Sequence, residues 1–200
     1  VTGVQTCALP ISTLAFALCA ATSAHALTAA DCARLEGVSV PPSDIGLPSG
    51  AATIISAAWM LDGAPQPKNF CRLIGVIRPV DPSAPLIGLQ INLPDQWNGK
   101  AVQYGGGGFN GVLITGLDPL RDAPLGSPTP LQRGYATWGT DSGHQGNSLP
   151  EIQAFALNDE ALVNFAYASY KKVRDVAVKM ATRLHGRAPE KIYFFGGSEG

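Results

Sequence analysis

Residues 159–185, "DEALVNFAYASYKKVRDVAVKMATRLH", read as one long helix, and what flanks that helix constrains the fold more than any other feature. Leu162, Phe165, Ala166, Tyr170, Val173, Val176, Ala177, Met180 and Leu184 recur every three or four residues, the period of a helix that buries one face. Asn158 supplies an N-cap, Asp159 and Glu160 suit the first turn, Gly186 stands at a C′ position and Pro189 blocks continuation. An apolar strand, "YATWGTD" (135–141), precedes the helix. A second, "KIYFF" (191–195), reads as a short buried strand directly after it. Strand, helix and strand in succession form a crossover unit, so this half of the chain builds parallel sheet.

The first half reads differently. Strand-like runs at 52–60, 71–80, 85–94 and 100–104 follow one another with only turns between them. Asn98-Gly99 is a strong hairpin signal ahead of the run at 100–104. Before them, "LTAADCARLEG" is a short capped helix and "VSVPPSDIGLPSG" a Pro/Gly/Ser connector. The expected architecture is therefore α/β, with an antiparallel start leading into a parallel sheet.

The 200 residues are 46% hydrophobic and 14% charged, which suits a packed domain and not a disordered chain. A net charge of −1 gives no basic surface, so neither nucleic acid nor an anionic membrane is an expected partner. Residues 1–26 contain no Lys, Arg, Asp or Glu. From Ser12 the chain reads as the apolar part of a signal peptide ending at Ala24-His25-Ala26, too short to span a bilayer. Residues 1–11 lack the charged start such a peptide needs. They are what a DNA stretch similar to a common sequencing adapter would encode, so they are expected to be translated library DNA. The expected organisation is 1–11 artefact, 12–26 signal remnant and 27–200 the N-terminal part of a catalytic domain. Cys7 and Cys19 then fall outside the mature chain, leaving Cys32 and Cys71. In a secreted or periplasmic protein the default for that pair is a disulfide contributing about 3–4 kcal/mol in the chain-entropy model.

The chemistry gathers at two glycine-rich stretches. "GGSEG" (196–200) follows a strand directly and places Ser198 between glycines, as a nucleophile on a strained strand-to-helix turn requires. "YGGGGFNG" (104–111) also follows a strand, and a backbone without side chains can approach a substrate closely. Acyl transfer needs two N–H groups aimed at the developing oxyanion. One comes from the residue after the nucleophile, here Glu199, and one from such a loop. Strand, Gly loop, strand, helix, strand, Ser turn is the order of the α/β-hydrolase fold. "TDSGH" (140–144) offers Asp141 and His144, but in this fold the acid and base follow the nucleophile. Asp141 therefore reads as a turn cap and His144 as packing near the site. His185, at a helix end, reads as a charge partner of the C-terminus.

"CRLIGVIRP", "INLPDQWNGK", "YGGGGFNG", "RGYATWGTDSGH" and "HGRAPEKIYFFGGSEG", in this order, resemble the tannase and feruloyl esterase family. The resemblance is strongest to its bacterial members, which include the hydrolase of mono(hydroxyethyl) terephthalate. It implies Ser198 as nucleophile, Gly108 and the Glu199 backbone N–H as the oxyanion hole, and a Cys32–Cys71 family disulfide. It also implies a lid, often with a structural calcium, and the Asp and His partners, all beyond residue 200. No metal or cofactor is expected within these residues. Where the family usually carries Cys before the nucleophile, this chain has Gly197. The expected function is an exported serine esterase acting on small phenolic or aromatic carboxylate esters, inactive as these residues alone. The alternatives are another α/β-hydrolase, a peptidase or polyester depolymerase, and a non-catalytic β-rich binding module.

Overall fold

A computed structural model of the chain describes residues 27–61, 68–146, 151–198 and 200. The expected adapter segment 1–11, the signal remnant 12–26 and Glu199 lie outside the described residues. The described chain starts with a short helix, α1 (Ala29–Ala33), closed at its N-terminus by a capping box between Thr28 and Asp31. Cys32 on α1 is bonded to Cys71, which anchors the helix to the sheet.

Seven strands form one sheet: β1 (Ser39–Val40), β2 (Ala52–Leu61), β3 (Asn69–Ile77), β4 (Ile87–Pro94), β5 (Lys100–Tyr104), β6 (Ala136–Thr140) and β7 (Lys191–Phe195). Their order is β1-β2-β3-β4-β6-β5-β7. Pairing is antiparallel from β1 through β4 and on to β6, then parallel between β6, β5 and β7. The mixed sheet is the one the two halves of the sequence imply.

One expected pairing does not form. Asn98-Gly99 turns the chain, with Gly99 at φ +82°, but β4 and β5 are not hairpin partners because β6 lies between them. The Asn98 N–H donates to the Gly134 carbonyl (2.9 Å) and its Nδ2 to the Arg133 carbonyl (3.0 Å). The turn is thus bonded to the loop that feeds β6 as well as within itself, where the Lys100 N–H donates to Asn98 Oδ1 (2.9 Å) and Trp97 Nε1 to the Lys100 carbonyl (2.8 Å).

After Asn158 the chain enters α2 (Asp159–Val163), runs through a π turn (Asn164–Ala168) and continues as α3 (Ser169–His185). Asn158 caps the start by accepting from the Ala161 N–H, and its Nδ2 holds Asp81 and Ser83. Glu160 accepts from the N–H groups of Val80 and Asp81, and Lys172 lies buried beneath it at 3.5 Å. Burial draws the Lys172 ammonium below the usual lysine range, against the pull of Glu160. The π turn shifts the buried stripe. Ala161, Asn164 and Ala168 face inward while Leu162 and Ala166 are exposed, because a wider turn delays the helical phase by about one residue. From Val173 onward the expected face is buried, with Val176, Ala177 and Met180 packed against Leu89, Ile91, Leu93 and Trp138.

The opposite face of β4 and β6 carries Asn92 and Thr137, alternating with Ile91 and Trp138. Asn92 Nδ2 donates to the Thr115 carbonyl (2.8 Å) and Thr137 Oγ1 (3.0 Å), tying down the irregular segment 105–135. β7, expected to be buried, is instead half open: Tyr193 is 46% and Phe194 53% exposed. It is an edge strand with β5 as its one neighbour among the described residues, and no described element covers its outer side.

Candidate active site

β5 and β7 run parallel, so their C-terminal ends deliver two loops to one edge of the sheet. The ladder extends one residue past the strands, the Gly105 N–H donating to the Phe195 carbonyl at 2.8 Å. The Gly loop after β5 and the Ser-bearing turn after β7 therefore start side by side. Their backbones also touch. A Cβ on Gly105 would lie 2.7 Å from Gly200 Cα, one on Gly200 2.6 Å from the Gly106 nitrogen, and one on Gly196 would overlap the Gly200 carbonyl. Glycine at these positions is required by close approach.

Ser198 sits on this turn with φ +60°, an uncommon conformation for a side-chain-bearing residue, and its surface is exposed. A strained, exposed serine on a tight turn after a strand is the conformation a nucleophile elbow requires. Glu199, expected to give one backbone donor, lies outside the described residues. At Gly197 the Arg121 side chain covers the position, Nη1 lying 3.0 Å from where a Cβ would stand.

The Gly loop has a bound base and an open tip. The Gly105 N–H reaches Phe195, the Gly106 N–H reaches the Tyr170 hydroxyl (3.3 Å), the Asn110 N–H reaches Gly107 and the Gly111 N–H reaches Asp141. Among the described residues, the N–H groups of Gly107, Gly108 and Phe109 find no acceptor. A Cβ on Gly107 or Gly108 would meet nothing within 4 Å, and Gly108 holds φ +56°. Unpaired amides in a fixed, open tip are what an oxyanion requires.

Asp141 and His144 serve the scaffold. Asp141 accepts from the N–H groups of Gly88 and Gly143, both at 2.9 Å, and from Gln145 Nε2 at 2.7 Å. Burial pushes its carboxyl up while those three donors pull it down, and burial prevails. His144 is 2% exposed, stacks on Phe155 with ring centroids 4.0 Å apart and meets the Phe109 carbonyl at 2.6 Å through Nε2. A carbonyl only accepts, so Nε2 carries the proton. Burial holds the ring below the usual histidine range and hence neutral. His185 does not act as a charged partner of its helix end. It stacks on Trp97 at 4.5 Å with Arg187 close by, and burial followed by the Arg187 charge lowers its pKa to about 4.

Three residues of this site were not singled out for it from sequence: Tyr170, Asn110 and Ser142. Asn110 at φ +52° donates through Nδ2 to Ser142 Oγ (2.9 Å) and to the Tyr170 hydroxyl (3.3 Å). The signal for Asn110 was Asn-Gly at the end of a glycine run, where positive φ is expected. Tyr170 gave none, since its ring fits an apolar stripe. Among the described residues no group of three or more His, Cys, Asp or Glu is placed to hold a metal ion. No helix among them is long and apolar enough to cross a membrane.

A crossover helix, a Gly loop and a Ser turn meeting at one end of a mixed sheet define an α/β-hydrolase. The family model for tannase and feruloyl esterase matches residues 71–200, and the chain belongs to that family. It is 44% identical over 171 residues to an uncharacterized esterase of Agrobacterium fabrum, covering 84% of this chain and 31% of that protein. It is 31% identical over 182 residues to the mono(2-hydroxyethyl) terephthalate hydrolase of Piscinibacter sakaiensis, covering 84% and 30%. The chain thus spans about a third of the length of these relatives. Feruloyl esterase B from Aspergillus oryzae shares the fold with a TM-score of 0.62 at 22% identity, over 84% of this chain and 32% of that one.

Proposed function

We propose that these residues carry the nucleophile and oxyanion half of an exported serine carboxylic ester hydrolase acting on small phenolic or aromatic esters. The observation that carries the reading is Ser198 at φ +60° on a turn whose glycines touch the Gly loop. Ser198 Oγ attacks the ester carbonyl carbon as its proton passes to a base. The carbonyl π pair moves onto oxygen, where the Gly108 and Glu199 N–H groups receive it. Collapse expels the alcohol and leaves an acyl-Ser198 ester, which water then cleaves to the acid. The described histidines do not supply the base: His144 is committed to Phe109 and His185 to Trp97. The base therefore comes from outside the described residues. Relatives named for feruloyl and terephthalate esters support the aromatic acid class, and the Cys32–Cys71 disulfide supports an exported, oxidising setting.

The test uses the complete gene product and, beside it, these 200 residues alone. In the complete product, Ser198→Ala is expected to lower kcat on an aryl carboxylate ester by at least ~10³-fold. The 200 residues alone are expected to turn over p-nitrophenyl acetate no faster than background. Efficient, Ser198-dependent hydrolysis by the short chain would show that the base is internal and sink that part of the reading. A Ser198→Ala enzyme with full activity would sink the whole of it.

A further inference from the structure

We propose that Tyr170 is a positioning residue for the oxyanion hole, acting through its hydroxyl on the base of the Gly loop. The proposal rests on Ser198 as nucleophile and Gly108 as oxyanion donor. A run of four glycines has no side chains with which to fix itself, and ordering it costs more backbone entropy than ordering any other sequence. A loop that must hold N–H groups in place for catalysis therefore needs a clamp from outside. The structure supplies one from α3. The Tyr170 hydroxyl accepts from the Gly106 N–H at 3.3 Å and from Asn110 Nδ2 at 3.3 Å, and it lies 3.5 Å from Ser142 Oγ.

These bonds grip the loop at both ends of its tip. Gly106 precedes Gly107 and Gly108, and Asn110 follows Phe109. Asn110 is 7% exposed and Ser142 fully buried, so water does not compete for the inner part of the triangle. Ser142 also stands at φ +66°, a second strained residue that turns its Oγ toward Asn110. Packing leaves Asn110 no slack, because its Oδ1 lies where a Gly106 Cβ would be. The result is a loop in which the N–H groups at either end are tied and those of Gly107, Gly108 and Phe109 meet no acceptor among the described residues.

The hydroxyl reaches the loop because of its helix. Tyr170 follows the π turn Asn164–Ala168, and its own carbonyl accepts from Gln103 Nε2 on β5 at 2.8 Å. The Tyr170 backbone is thus fixed to the strand that the Gly loop leaves. The ring rests edge-on to Phe194 of β7, at 5.3 Å between centroids. One side chain therefore contacts the strand before the nucleophile and the loop that receives the oxyanion, and its hydroxyl relates the two.

Tyr170→Phe removes the hydroxyl and keeps the ring, and Asn110→Gly removes the amide while keeping the backbone at positive φ. In the complete gene product each is expected to lower kcat on an aryl ester by about ten- to a hundredfold, with KM within about twofold. Binding of an arylboronic acid, whose tetrahedral adduct on Ser198 mimics the transition state, should weaken by the same factor as kcat/KM. Amide hydrogen exchange of residues 105–111 should quicken about tenfold while that of β4 stays unchanged. Wild-type kcat in Tyr170→Phe would overturn the proposal. So would a kcat loss accompanied by faster exchange across the whole sheet. If Ser198→Ala leaves activity intact the catalytic reading itself fails, and loop exchange still decides whether Tyr170 holds the loop.

Discussion

Gly106 and Gly107 are neighbours in one glycine run, and their surroundings give them different duties. A Cβ on Gly106 would overlap the Asn110 amide, which cannot retreat without giving up its bonds to Ser142 and Tyr170. A Cβ on Gly107 would meet nothing within 4 Å, and its φ lies outside the positive region. Gly106→Ala is therefore expected to destabilise by about 1–3 kcal/mol. Gly107→Ala should change stability by no more than about 0.5 kcal/mol. Urea midpoints of the two variants check this, and equal losses would mean that Asn110 is not held as described. Ser198 and its glycines were legible in sequence because the backbone leaves little choice there: a sharp turn after a strand and a close approach of two loops both demand glycine. The Tyr170 hydroxyl was not legible, since one atom at the end of an aromatic ring leaves no mark on an apolar periodicity.

The helices show the same division between local and non-local information. Asn158 caps α2 and Gly186, at φ +74°, ends α3 where the residue types predicted, because both ends answer to unsatisfied backbone groups. The phase before Val173 was not legible, because the π turn is stabilised by what it packs against: Asn164 lies on Gly143 and receives Lys172 Nζ at 2.9 Å. His185 is a further case, a residue whose place at a helix end suggested charge until Trp97 covered it. Its pKa falls from about 6.5 in an unfolded chain to about 4 in the fold. Below pH 6.5 the unfolded chain therefore binds a proton that the folded chain refuses. The stability His185 contributes is complete above that pH and is lost as pH falls toward 4. Replacement by Phe keeps a ring against Trp97 and removes the titration. The urea midpoint of His185→Phe should accordingly fall less between pH 6.5 and 4 than that of the parent chain. Parallel curves would show that the parent ring takes up its proton in the fold as readily as outside it.

At the scale of the molecule, the crossover from β6 through α3 to β7 could be read from sequence because its three parts are consecutive. The strand order could not, since the Asn98 turn has the chemistry of a hairpin and the strand that lies between β4 and β5 is β6, from further along the chain. The same order leaves β7 at an edge. Its backbone pairs with β5 on one side, and Tyr193 and Phe194 point to opposite faces with about half of each surface exposed. Beside Tyr193 a cavity of about 330 Å³ is walled by Val102, Leu120, Pro130, Tyr135 and Phe195, adding apolar surface next to the free edge. Edge strands of this kind recruit further strands unless charge or proline guards them, and within β7 the only charge is Lys191 at its start. The 200-residue chain is therefore expected to self-associate through β7 at micromolar concentration and above. Lysine at both Tyr193 and Phe194 should suppress that association, because two charges would then flank the edge on either face without disturbing the ladder to β5. Sedimentation velocity across a concentration series separates the outcomes. A parent chain that stays monomeric throughout, or a double-lysine variant that associates as strongly as the parent, would place the sticky surface somewhere other than β7.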